Sequence, residues 1–301
     1  IMMTVEQIMA PVQAEMKEFE VRFPQSMKSN VAMLDHVTRF IVQRKGKQMR
    51  PLFIFLTAKM LDEIKDDTYD AASLVELLHT ATLVHDDVVD NANERRGFFS
   101  VNALWKNKIA VLVGDFLLSR VLLLSIEKGN THLLEIVAKA IKEMSEGELL
   151  QIEKARSLDI TEEVYFEIIR QKTASLIATC CEVAAASVGA KDHLLRMREF
   201  GNPTGNDIRE QKMTLPLIYA LQHAPKEVQQ ELYHIVKRKN ENNKSVKRAI
   251  ALVIEHGGLE YAHQKMMDLK NQALALLRDI PDSPAKEALI GLVEYTTERA
   301  K

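Results

Sequence analysis

Apolar residues recur along this chain at three- and four-residue spacing, and no useful stretch alternates apolar with polar, so the pattern predicts helices and no strands. Proline is absent between Pro51 and Pro203, and the glycines of that span sit where helices would be punctuated. Helices are predicted at about 3–20, 28–44, 49–63, 68–90, 107–127, 131–155, 161–188 and 191–200, then at about 209–222, 225–239, 244–257, 259–279 and 283–300. Two segments, 71–84 and 109–126, are apolar almost all round, with Glu76 and His79 the main interruptions in the first. A helix without a polar face belongs in the middle of a large bundle. Segment 109–126 carries Asp115 and Arg120, so it is read as a buried core helix and not a membrane span. No linker, repeat or charge block divides the chain, and residues 1–301 are read as one all-α domain.

Composition adds exclusions. With 47% apolar and 27% charged residues, the chain has ordinary globular usage and enough length for a substantial core. Forty basic against forty-two acidic residues give a net charge of −2, which offers no basis for nucleic-acid binding. The only cysteines, Cys180 and Cys181, are adjacent and follow an apolar stretch, which predicts buried thiols in a reducing compartment. The first twenty residues have neither the basic nor the apolar region of a secretory signal, so a cytoplasmic protein is expected.

One stretch resists a purely structural reading. LVHDDVVDNANERRG, residues 83–97, closes an apolar helix with Asp86, Asp87 and Asp90 and follows them with Arg95, Arg96 and Gly97. On a helix Asp86 and Asp90 face the same way, with Asp87 beside them. They fall at the C-terminal end, where the helix dipole disfavours carboxylates. Divalent cations resolve the conflict, since Mg²⁺ accepts one or two carboxylates together with water and phosphate oxygens. Paired arginines suit the far side of a diphosphate. Upstream, KGKQMRP places Lys47 and Arg50 at a helix start, where free N–H groups favour anions. Downstream, RQKTAS carries Lys172 and Thr173, and DIREQKMTLP carries Lys212. Each lysine alone is also an ordinary surface residue, His79 alone an ordinary core histidine, and DDxxD alone an ordinary helix end.

The five features in this order resemble the trans-isoprenyl diphosphate synthases, the polyprenyl synthetase family. GKQMRP, ELLHTATLVHDDVVDNANERRG, GDFLLSR, KTAS and NPTGNDIREQKMTLPLIYAL carry the resemblance between residues 46 and 221. It implies an all-α bundle around a deep central cavity, usually a homodimer, that condenses isopentenyl diphosphate onto an allylic diphosphate. Carried over, Lys47, Arg50, His79 and Arg96 correspond to the isopentenyl diphosphate site. Asp86 and Asp90 correspond to Mg²⁺ ligands, with Asp87 in the same motif. Arg95, Lys172 and Lys212 correspond to groups on the allylic diphosphate, and Thr173 lies beside the reacting carbons. The released diphosphate takes the proton in this family, so no protein base is expected.

Product length follows from α-helical rise. Residue 81 lies about 7.5 Å along the helix from Asp86. In the family, bulky aromatics four or five positions before the first aspartate stop growth early. Here those positions are Thr82 and Ala81, both small. The expectation is a product longer than farnesyl, of the medium-to-long kind used in quinone side chains.

The chain also departs from the pattern. The family carries a second aspartate-rich motif between the KT element and the KxTLP lysine, whereas here RMREFG runs straight into NPTGNDIREQKMTLP, with Asn202 where a lysine is frequent. Either that segment belongs to the whole protein and is missing from this sequence at 201–202, or it is truly lost and the chain is a non-catalytic subunit of a heteromeric synthase.

Overall fold

Fifteen α-helices and one short hairpin are built from the described residues, 2–44, 46–95, 98–157, 160–204, 215–238 and 242–298, of a computed structural model. In order these are α1 (Val5–Met9), α2 (Gln13–Arg22), α3 (Ala32–Gln43), α4 (Met49–Leu61) and α5 (Asp66–Val89). The hairpin follows, β1 (Glu94–Arg95) antiparallel to β2 (Phe98–Phe99), and then α6 (Val101–Glu127) and α7 (Thr131–Ser157). Next come α8 (Glu162–Ile169), a π-helical turn at Arg170–Ala174, α9 (Ser175–Ser187) and α10 (Leu194–Thr204). The last are α11 (Leu215–His223), α12 (Lys226–Arg238), α13 (Asn243–Glu255), α14 (Gly258–Ala275) and α15 (Pro284–Glu298).

Local chemistry sets many of the starts. Thr4 and Gln7 form a capping box on α1, and the side chains of Ser100, Thr161 and Asn242 accept from the first free N–H groups of α6, α8 and α13. Asp66 and Asp67 lie in the first turn of α5, where the helix dipole favours them.

Helices α4, α5 and α9 form the centre. Every residue from Leu52 to Ala58 on α4 is at most 2% exposed, and Leu74, Val75, Leu77, Leu78 and Ala81 on α5 are fully buried. Burying side chains of this size contributes about 1.5–3 kcal/mol each, which is why the middle of the bundle tolerates few polar groups. Cys180 and Cys181 lie in the α9 part of this core, unbonded to each other. Burial pushes both thiols up, Cys181 to about 12, so neither is a thiolate near neutral pH and neither serves as a nucleophile.

Three local expectations change. A hairpin stands where no strand was expected, because two residues per strand are too few to leave an alternating pattern. The helix expected at 161–188 is divided by the π turn, which RQKTA does not advertise with glycine or proline. Helix α6 starts at Val101 on the Ser100 cap and breaks at Lys106, whose φ of 71° and ψ of 158° lie in a region normally left to glycine, at a cost of about 1–3 kcal/mol.

Helix α6 also differs from the all-round buried helix expected at 109–126. Val113, Leu117 and Val121 are buried, while Leu112, Leu123 and Ile126 are 55%, 46% and 63% exposed. Its inner stripe packs on α5 so closely that a Cβ at Gly114 would overlap the His85 imidazole. By length and composition α6 is the one helix among the described residues that is long and apolar enough to cross a membrane, yet Asp115 and Arg120 sit along it and its inner stripe is committed to α5.

Candidate functional site

Helix α5 delivers the chemistry. One of its faces presents Glu76, His79 and Asp87 to a pocket of about 650 Å³, closed by Arg44 after α3, by Arg50 of α4, and by Phe98 and Phe99 of β2. Arg50 Nε donates to Glu76 Oε1 at 2.8 Å, and both side chains are less than one-fifth exposed. A half-buried guanidinium with further N–H donors beside a cavity suits a phosphate oxygen. The pocket is therefore a polar floor of Arg50, His79 and Asp87 under an aromatic roof.

The three aspartates do not share one environment. Asp87 is 4% exposed and faces the pocket, Asp86 is half-buried and Asp90 is exposed. Successive helical residues turn by about 100°, so Asp87 lies about 100° round the helix from Asp86 and about 60° from Asp90, an offset that turns it to the pocket. Asp90 caps α5, its N–H donating to the Asp86 carbonyl at 2.8 Å. Among the described residues no group of three or more His, Cys, Asp or Glu is gathered as a metal site.

A second wall forms at the π turn. Lys172 Nζ lies 2.8 Å from Glu148 Oε2 and 2.8 Å from Gln151 Oε1, both on α7. This approach requires Gly147, because a Cβ there would sit 2.8 Å from Gln171 Cβ and 3.0 Å from the Lys172 nitrogen. The turn thus fixes Lys172 and Thr173 against α7, and π turns of this kind recur at functional sites.

The structure brings Arg50, His79 and Asp87 together. Lys47 is exposed and points elsewhere, its Nζ 5.9 Å from the Tyr295 ring of α15. Lys172 and Thr173 occupy the separate α7–π wall. Ala81 is fully buried, while the half-buried Thr82 gives its hydroxyl proton to the His79 carbonyl at 2.8 Å. Arg96, Gly97 and Lys212 lie outside the described residues, and of Arg95 only the backbone in β1 is described. Sequence reasoning missed Arg44, Glu148, Gln151 and the pairing of Glu76 with Arg50. For Glu76 a signal existed, a carboxylate inside an apolar helix; for the others nothing in the spacing pointed to a partner.

Comparison with known proteins places this arrangement. The family model described as polyprenyl synthetase matches residues 31–205 and 192–253. The two stretches overlap at residues 192–205, which span α10, a helix that runs through Gly201 and Asn202. An all-trans-nonaprenyl-diphosphate synthase of Rhodobacter capsulatus, described as geranyl-diphosphate specific, is 32% identical over 321 aligned positions, covering 98% of each chain. This chain has 301 residues, so the relative carries positions it lacks. The crystal structure of a decaprenyl diphosphate synthase from Rhodobacter capsulatus superposes with a TM-score of 0.92 at 30% identity, over 99% of this chain and 100% of that one. A polyprenyl synthase from Caulobacter crescentus, solved with calcium and isoprenyl diphosphate, superposes with a TM-score of 0.89 at 30% identity, over 99% and 98%.

Proposed function

The chain belongs to the polyprenyl synthetase family, and on that premise we propose that it condenses isopentenyl diphosphate onto an allylic diphosphate to make an all-trans polyprenyl diphosphate longer than farnesyl. The observation that carries the reading is the Arg50–His79–Asp87 pocket, whose Asp87 is flanked at the end of α5 by Asp86 and Asp90. In this account Arg50 holds the isopentenyl diphosphate, with His79 beside it and Glu76 fixing the guanidinium. Lys172, steadied by Glu148 and Gln151, turns to the allylic diphosphate, next to Thr173 and the reacting carbons. Arg95, Arg96, Lys47 and Lys212 complete the cationic set around the two diphosphates.

Asp86 and Asp90 fit a divalent cation by their chemistry, as two carboxylates on one helix face with open access to water and phosphate oxygens, and Asp87 supports them from the pocket side. When bound, Mg²⁺ neutralises charge on the departing diphosphate. The calcium and isoprenyl diphosphate held by the Caulobacter crescentus relative support a divalent-metal reading. The allylic C–O bond then ionises among these cations, the isopentenyl double bond attacks the carbocation, and the released diphosphate takes the proton. No nucleophilic cysteine enters, consistent with the buried thiols. Those unpaired thiols also suit a reducing compartment, which supports a cytoplasmic location.

Replacing Arg50 with alanine tests the pocket assignment. Loss of a charge-assisted contact is expected to raise the KM for isopentenyl diphosphate about 10- to 100-fold, leaving the allylic KM within about twofold. Equal rises in both constants would contradict it.

The reading includes a homodimer. Leu112, Leu123 and Ile126 lie on one stripe of α6 and are each about half exposed, and a symmetric partner would bury such a stripe. Light scattering is expected to give twice the 34.2 kDa chain mass, and Leu123→Asp to shift the protein to monomer.

The short junction at Gly201–Asn202 favours a second reading, a non-catalytic partner of an active synthase. Intact DDxxD and RRG elements argue against it.

A further inference from the structure

Arg44 lies where two walls of the pocket meet. Its guanidinium is 3.6 Å from the Phe40 ring centroid on α3 and 4.6 Å from the Phe98 ring centroid on β2. Its Nη1 also donates to the Phe99 carbonyl at 3.0 Å. One side chain therefore bridges α3 to the outer strand of the hairpin, by stacking on one strand residue and hydrogen bonding the next.

The hairpin needs such a tie. Each strand has two residues, and a hairpin this small is not stable by itself. Ser100 fastens only its base, through its N–H to the Asn93 carbonyl at 2.9 Å and its hydroxyl to the Ala92 carbonyl at 2.7 Å. Phe98 and Phe99 stay more than half exposed. The anchor on the α3 side is firm, because Phe40 packs edge-on against Trp105 at 4.8 Å. The left-handed break at Lys106 separates the short Val101–Trp105 segment carrying that ring from the rest of α6.

We propose that Arg44 is a positioning residue for isopentenyl diphosphate: it latches β2 to α3, and so fixes the Phe98–Phe99 wall of the pocket. This rests on the reading of the Arg50 pocket as the isopentenyl diphosphate site. Arg44 acts through Phe98 and Phe99 and not by holding the diphosphate. Lysine keeps the charge yet loses the planar stack between two rings, so Lys cannot replace it.

Steady-state kinetics on Arg44→Ala, Arg44→Lys, Phe98→Ala, the Arg44→Ala/Phe98→Ala double variant and Arg50→Ala test the proposal. Both Arg44 variants and Phe98→Ala are expected to raise the KM for isopentenyl diphosphate about tenfold, with the allylic KM and kcat within about twofold. The double variant is expected to be no worse than its worse single, as for two parts of one latch. Rescue by lysine with no effect of Phe98→Ala overturns the proposal in favour of direct diphosphate binding by Arg44. Equal loss of kcat for both substrates, without a KM split, overturns it in favour of a purely structural role. If Arg50→Ala raises the KM and the Arg44 variants do not, the latch alone falls. If Arg50→Ala also leaves the KM unchanged, the pocket assignment falls and takes the latch with it.

Discussion

Asp86→Asn is expected to lower the elongation rate about a thousandfold, equivalent to about 4 kcal/mol at the barrier, while the protein stays folded. Asp86 and Asp90 stand at the C-terminal end of α5, where the helix dipole is negative and the helix's own last turn carries no basic residue. Carboxylates at an unfavourable helix end are retained for what they bind, and stability sacrificed at a site is a common mark of function. Asp87 behaves differently, because it is buried against the pocket and its replacement costs stability as well as activity. Thermal melts beside a rate assay separate the cases. A fully active Asp86→Asn protein would remove the metal-binding interpretation.

Ala81→Phe is expected to shorten the product to about the farnesyl or geranylgeranyl class. The fully buried Ala81 stands five residues before Asp86, about 7.5 Å along the helix axis. Leu78, Leu77 and Leu74 continue inward from it, all fully buried apolar side chains. If the growing tail passes Ala81, as the proposed product length requires, a phenyl ring there blocks it. Overpacking costs about 1–3 kcal/mol, so a circular dichroism melt accompanies the chromatographic product analysis. A folded variant with an unchanged product distribution would show that chain length is set elsewhere.

How much of this was legible in the sequence depended on the range of the interaction. The helices came from period, and α5 was readable almost to the residue, because its apolar run ends in polar residues at both ends. The π turn was not readable, since it is fixed by the approach of α7 at Gly147 and not by the residues of RQKTA. Helix α6 was identified and its inner stripe lies in the core as expected, but its outer stripe is exposed: periodicity reports an apolar face, not what covers it. At the site, residues on one helix have relative positions that follow from spacing alone, as with His79 and Asp87 on the pocket face of α5. Contacts between distant segments were invisible, as with Arg50 on Glu76, Lys172 on Glu148 and Arg44 on β2. Lys47 shows the converse, three residues from Arg50 yet directed toward α15 after the left-handed turn at Gln48.

The gap in the family pattern bears on catalysis most. The family model matches in two stretches that meet around α10, and the aligned relative carries positions that this chain lacks. The measurement that tests the whole account is therefore incubation of the protein with isopentenyl diphosphate, farnesyl diphosphate and Mg²⁺, with products resolved by length and EDTA as the control. Elongation beyond farnesyl that EDTA abolishes is the predicted result. No elongation by the folded protein would contradict it and leave the non-catalytic subunit as the reading that stands.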